Sequence, residues 1–409
     1  MAGTTEPVSL DDIRRAVRSG TGVIRETPVL SFRTLGERAG GDVILKAENL
    51  QRTGSFKLGG ALAKLAALGS DCAAGVVAGS AGNHAQALAL AARERGVRCE
   101  VFMPESAPLA KAEAAASMGA VVRLTGETVE ESLLAAHERA AEGGLAFVHP
   151  FDDPDVIAGQ GTLGLELLEQ LGDRLARVIV PVGGGGLASG VALALKSHRP
   201  DIEVIGVQAE ASAPFPVSLA RGEPVEVTPS RTIADGIAVK RPGGLTLRLV
   251  RDWVDELTVV PEDAIAEAMI FLMERAKLVV EGAGAVGVAA LLGGRAACAE
   301  PGVTAVILSG GNVDAGLLAQ LARRHESQSG RRLVLLLRLP DSPGSLARLL
   351  SLVGAGGANL VDVQHVREGI ELHVRETAVQ LVLETRSRAH AEEVMALVRQ
   401  AGYEPSALR

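Results

Sequence analysis

Short apolar runs alternate with longer Ala- and Leu-rich stretches along the first three quarters of the chain. Runs at 76–78, 99–103, 120–124, 178–182, 203–208 and 305–308 have the length and content of buried strands. The stretches between them, such as 85–93 and 187–195, carry residues that favour helices. This alternation predicts an α/β architecture, a mostly parallel sheet with helices on both faces. Ligands in such sheets collect at the loops that follow the carboxyl ends of strands. Past a polar stretch at 323–331, which reads as a linker, the pattern changes. A strand at 333–339, a helix at 345–353, strands at 360–366 and 378–383, a helix at 391–401 and room for a last strand near Tyr403 give the order of a ferredoxin-like α+β unit. Two domains are expected, 1–325 and 332–409.

Composition narrows the function classes. A chain of 409 residues with 47% hydrophobic and 22% charged residues supports large cores. Its net charge of −8 and 2% aromatic content argue against a nucleic-acid partner. Cys72, Cys99 and Cys298 lack a Cys-x-x-Cys spacing, so reduced thiols are expected rather than a zinc cluster or a disulfide framework. The first residues lack a basic-then-apolar secretion signal and no apolar stretch spans a bilayer, so no membrane partner and a cytoplasmic location are expected.

Three segments carry candidate chemistry. Lys57 lies between the turn 51–54 and the small-residue run 58–63. Burial among apolar groups lowers an amine's pKa, so that such a lysine loses its proton and condenses with a carbonyl as a Schiff base. Gly183, Gly184, Gly185 and Gly186, followed by Leu187, join a strand to a helix. Four glycines let backbone N–H groups approach an anion at the positive end of a helix. No Lys-Ser or Lys-Thr pair closes this loop, so it is not a P-loop. Ser80, Ala81, Gly82, Asn83 and His84 follow another strand and open a helix, where a hydroxyl and free N–H groups suit a carboxylate.

These segments, with Ser55-Phe56-Lys57, the run 157–162, Ala234-Asp235-Gly236, the run 281–285 and Ser309-Gly310-Gly311-Asn312, resemble the fold-type-II pyridoxal-phosphate enzymes, and within them the threonine dehydratases (threonine ammonia-lyases). The motifs run in the family order over about the first 320 residues. The resemblance implies a two-lobed, tryptophan-synthase-β-like fold with a smaller lobe at roughly 51–150. It implies pyridoxal 5'-phosphate on Lys57, with Phe56 packed on the ring, Asn83 at the ring hydroxyl, Gly183 to Leu187 at the phosphate and Ser309 at the pyridine nitrogen. Ser80 to His84 would hold the substrate carboxylate. A serine at the ring nitrogen is a far weaker acid than a pyridinium, so the ring is a weaker electron sink and prompt loss of a β-hydroxyl is favoured. The expected reaction converts L-threonine to 2-oxobutanoate and ammonia, and L-serine to pyruvate.

Alternatives within the fold are serine racemase and 3-hydroxyaspartate dehydratase. Serine racemases place a second serine at the position of Ala81, and a methyl group supplies no proton, so Ala81 favours elimination. Outside enzymes, an amino-acid-sensing binding protein is the competing reading. Gly59 stands where many relatives show arginine. Around Glu210 no second acidic ligand is visible, which disfavours a magnesium site and leaves a monovalent ion open; the metal content is undetermined. The tail, through Leu339 to Leu346 and Gly356 to Leu360, resembles an ACT regulatory domain, implying an amino-acid effector such as isoleucine or valine and a homo-oligomer, a dimer or tetramer.

Overall fold

The apolar runs become strands because helices bury them from both sides, as at Cys99–Met103, where all five positions are buried. The computed structural model describes residues 7–228, 230–367 and 371–408. It divides into two units, Met1–Val313 and Asp314–Arg409. Among the described residues, the first unit holds two sheets. The larger runs in the order Val29–Ser31, Asp42–Lys46, Val303–Ile307, Leu175–Pro181, Glu203–Ala209 and Glu256–Val260. It is parallel except for the Val29–Ser31 edge. The smaller sheet, in the order Val121–Leu124, Cys99–Met103, Val76–Gly79 and Ala146–Phe147, is parallel throughout.

Three helices stack on one another closely enough that side chains would intrude. In the first pair, Lys57–Leu68 against Pro154–Leu171, a Cβ on Gly59 would stand 2.7 Å from the Gly159 carbonyl oxygen. A Cβ on Gly159 would in turn strike the Gly59 carbonyl. Helix Pro154–Leu171 then meets Gly186–Lys196, where a Cβ on Gly161 would lie 2.9 Å from the Gly190 oxygen. Gly59 therefore has a local reason: the facing backbone occupies the space its side chain would need. The middle helix is well anchored. The Asp153 carboxylate accepts from the N–H groups of Asp155 at 2.9 Å and Val156 at 3.1 Å, and pairs with Lys64 at 2.6 Å.

The second unit has an antiparallel sheet in the order Asn359–Val366, Glu376–Glu384, Arg332–Pro340 and Ser406–Leu408. Helices Ser345–Ala355 and Arg388–Gln400 pack on it through Leu349, Val353, Val394 and Val398 against Leu335, Leu337 and Leu381. The linker expected at 323–331 is corrected. Helix Ala315–Gln328 runs through most of it, opened by Asp314, whose carboxylate accepts from the Leu317 N–H at 3.1 Å. Arg323, Arg324 and Glu326 are the solvated turns of an amphipathic helix whose Leu321 is buried. A polar run with one apolar anchor per two turns reads as a linker until its neighbours are known.

Gly159→Val tests the helix stack. Overpacking at a backbone contact is expected to cost about 3 kcal/mol. By contrast, Leu109→Ala, on a side chain that is 70% exposed, should change urea stability by less than about 0.5 kcal/mol.

Candidate active site

Strands Val76–Gly79 and Leu175–Pro181, and the strand Val303–Ile307, all end toward one cavity of about 640 Å³. Phe56, Lys57, Ser80, Ala81, Gly82, Asn83, His84, Gly183, Gly184, Gly185, Gly186, Leu187 and Ser309 all line it. Segments more than two hundred residues apart in sequence thus meet in the loops that follow strand ends.

Lys57 is the first residue of its helix. Its Nζ donates to the Pro150 carbonyl at 2.9 Å and lies 5.1 Å from the centre of the Phe56 ring. Burial lowers its pKa to about 8, opposed by the more distant Glu281 carboxylate. The backbone around it is pinned to the Ser309 loop. Phe56 N–H donates to the Ser309 carbonyl at 3.1 Å, and Gly311 N–H to the Gly54 carbonyl at 2.9 Å. Ser309 itself is 2% exposed.

Asn83 is held from both sides. Its Nδ2 donates to Glu281 Oε1 at 2.7 Å, and its Oδ1 accepts from Asn312 Nδ2 at 2.8 Å. This fixes which end of the amide is donor, and an Nδ2 group keeps a second hydrogen for a ligand oxygen. Burial and the neighbouring Asp235 push Glu281 up to about 7. His84 is buried, bonded to the Val148 carbonyl at 2.9 Å, and burial with the nearby Lys57 holds its pKa at about 3. The imidazole is therefore neutral at physiological pH, and so adds no positive charge beside the amine.

At the glycine loop, side chains are excluded at every position. A Cβ on Gly183 would meet Ile237 Cα at 2.9 Å, one on Gly184 would overlap the Phe151 ring, and one on Gly186 would lie 2.9 Å from the Phe151 carbonyl. Gly185 has φ +92°, a conformation suited to glycine. What faces the cavity is backbone at the start of helix Gly186–Lys196, which suits a phosphate.

Glu210 falls elsewhere, exposed at the end of strand Glu203–Ala209 and outside the cavity lining. Among the described residues no group of three or more His, Cys, Asp or Glu is placed to hold a metal ion. Several residues in or behind the lining had no assigned role in the sequence. Lys111 pairs with Asp235 at 2.7 Å across the cavity wall. His149 Nδ1 accepts from the N–H groups of Phe151 and Asp152 at 3.2 and 2.8 Å, shaping the turn that presents Pro150 and Phe151. Glu281 had a signal available, a lone carboxylate between Val279-Val280 and the apolar helix Gly282–Leu292. Pro150 and Phe151 had none, since their contribution is a carbonyl and a ring face.

An amine with a pKa near neutrality beside a side-chain-free anion cradle fits a phosphorylated aldehyde, which marks a two-lobed pyridoxal-phosphate enzyme. The chain belongs to the family described as "Pyridoxal-phosphate dependent enzyme", which matches residues 21–310. It is similar to the L-threonine ammonia-lyase of Thermotoga maritima, 44% identical over 97% of this chain and 98% of that one. Among solved structures it is similar to a threonine deaminase from T.th., at 43% identity and TM-score 0.70, covering 75% of this chain and 99% of the other. It is also similar to maize serine racemase, at 36% identity and TM-score 0.73, over 79% of this chain and 99% of that one.

A pH series on cofactor-free protein checks the amine. Only the neutral amine condenses with an aldehyde, so the rate at which visible absorbance develops on adding pyridoxal phosphate should rise as pH passes through about 8 and then level. A rate still climbing toward the ordinary lysine value of 10.5 would contradict the assignment.

Proposed function

We propose that the chain deaminates L-threonine by pyridoxal-phosphate-dependent β-elimination, giving 2-oxobutanoate and ammonia, with L-serine to pyruvate as a secondary reaction. The observation that carries this reading is the convergence on one cavity of a neutral-capable Lys57, the glycine loop and the Ser80 to His84 loop with Ala81 on it. It is supported by the similarity to proteins named for threonine deamination.

The bound cofactor supplies a carbonyl that captures an amino group and a ring that withdraws electrons from Cα. Each residue then has a distinct task. The Gly183 to Leu187 backbone would anchor the phosphate, Phe56 would pack against the ring, and Asn83 would use its remaining N–H on the ring oxygen. Ser309 would meet the ring nitrogen, and its hydroxyl, too weakly acidic to keep that nitrogen protonated, would limit charge storage in the ring. Ser80 to His84 orient the substrate carboxylate. Lys57 would serve as the base for the Cα proton, its Nζ oriented by the Pro150 carbonyl at 2.9 Å. His84, its pKa held at about 3, is too weak a base to compete for that proton.

Serine racemisation is the second reading, favoured by the likeness to a solved serine racemase. It needs an acid on the face opposite the lysine, and Ala81 offers a methyl group. The unit Asp314–Arg409 acts, in this proposal, as an ACT domain that binds an amino-acid effector, isoleucine or valine, in an oligomer of two or four chains. Its support is the ferredoxin-like strand order together with the Pro343-Gly344 loop opening helix Ser345–Ala355, where Gly344 has φ +81°. Asn359 already donates to Glu384 at 3.2 Å, so an effector there would share or displace that bond.

Incubation with L-threonine, L-serine, their D-enantiomers and 3-hydroxyaspartate, following oxo acid and chirality together, tests the reaction. 2-Oxobutanoate should form fastest from L-threonine, with no D-amino acid accumulating. Lys57→Ala is expected to lower kcat by at least about 10³-fold, since it removes both nucleophile and base. In Ala81→Ser, a measurable share of turnovers should yield D-serine from L-serine. For the second unit, isoleucine or valine should shift the L-threonine saturation curve several-fold. Asn359→Ala should abolish the shift and leave effector-free turnover as it was.

A further inference from the structure

The chain passes from the smaller sheet to helix Pro154–Leu171 through the turn 149–153, and that turn touches both the amine and the anion cradle. The Pro150 carbonyl accepts from Lys57 Nζ at 2.9 Å. One residue on, the Phe151 ring fills the space that a Cβ on Gly184 would need, and the Phe151 carbonyl would lie 2.9 Å from a Cβ on Gly186. Two neighbouring residues therefore set the wall for two chemical groups, and what holds them in place lies at the ends of the turn.

The far end is fastened by carboxylates. Asp152 Oδ1 accepts from the Thr246 N–H at 2.9 Å, at the start of helix Gly244–Trp253, and Asp153 caps helix Pro154–Leu171. The near end is fastened by an imidazole. His149 Nδ1 accepts from the Phe151 N–H at 3.2 Å and the Asp152 N–H at 2.8 Å, and its ring stands edge-on to the Phe151 ring with centres 4.6 Å apart. A ring nitrogen that receives two backbone hydrogens has no place for a proton of its own, so the ring is neutral with its hydrogen on Nε2. Burial favours the same form and lowers the His149 pKa, with Lys57 and His137 adding to the effect and Asp152 and Asp153 opposing it.

We propose that His149 is a positioning residue for the phosphorylated aldehyde: by capping the turn through Nδ1, it holds the Pro150 carbonyl on the Lys57 amine and the Phe151 ring against the glycine loop. That role presupposes the assignment of the cavity to pyridoxal phosphate. Without the cap, two backbone N–H groups must turn to water, which admits solvent beside Lys57 and slackens the wall at Gly184 and Gly186.

Two substitutions separate the cap from the ring. His149→Phe keeps an aromatic ring of similar size but offers no acceptor, whereas in His149→Asn the Oδ1 is bonded to Cγ, as Nδ1 is, and accepts from the same N–H groups. Cofactor-free proteins are given pyridoxal phosphate or pyridoxal across a pH series, and the visible absorbance is followed. In His149→Phe the pH midpoint of aldehyde capture should move up from about 8 by about one pH unit as water reaches the amine. The preference for pyridoxal phosphate over pyridoxal should fall roughly tenfold. His149→Asn should restore both. A folded His149→Phe with unchanged midpoint and preference overturns the proposal, as does a His149→Asn that behaves like His149→Phe. In the unsubstituted protein, nitrogen-15 NMR of the histidine rings should show His149 with Nδ1 unprotonated at about neutral pH. A protonated Nδ1 refutes the cap even where His149→Phe does not fold. If the unsubstituted protein captures neither aldehyde, the pyridoxal-phosphate assignment fails, and the ring spectrum still decides whether His149 caps the turn.

Discussion

A lysine amine whose protonated form burial destabilises, so that its pKa falls to about 8, is the constraint on which the rest of the structure depends. Lys57 heads a helix, and the positive end of that helix disfavours an ammonium. Burial works in the same direction and Glu281 opposes it weakly. The groups nearest the amine are a carbonyl, an aromatic ring and a neutral histidine, none of which supplies a full compensating charge. A paired lysine in the same place, like Lys64 with Asp153 and Asp155, would stay protonated and inert.

The helix stack turns that local condition into a site. Lys57 begins the first helix, Pro150 and Phe151 precede the second, and the glycine loop opens the third. Glycine contacts hold the three at backbone distance, so amine, ring wall and anion cradle are fixed relative to one another by packing. Several positive helix ends face one cavity. The arrangement both favours a doubly charged phosphate and disfavours an ammonium, so one geometry serves two chemical needs. Gly59 belongs to this logic, since a residue with a side chain would push the first helix away from the second.

Much of this was legible beforehand because it is carried by residue type. The apolar runs that were marked match strands to within about three residues, and the glycine loop and the Ser80 to His84 turn follow strand ends, while Val29–Ser31, Asp42–Lys46, Ala146–Phe147 and Glu256–Val260 were not marked. What the sequence could not display depends on neighbours. Pro150 acts through its carbonyl and Phe151 through a ring face, neither of which has a distinctive spacing. The polar run after Leu321 could be recognised as helix only once that residue was seen to be buried. The cap that His149 places on the turn 149–153 is invisible in sequence, because which N–H groups a ring nitrogen receives is a property of packing.

Borohydride reduction of the pyridoxal-phosphate-loaded protein, followed by peptide mass spectrometry, probes the central claim most directly. The account predicts a reduced phosphopyridoxyl adduct on Lys57. An adduct on Lys111, which also lines the cavity but is paired with Asp235, or the absence of any adduct, would contradict it.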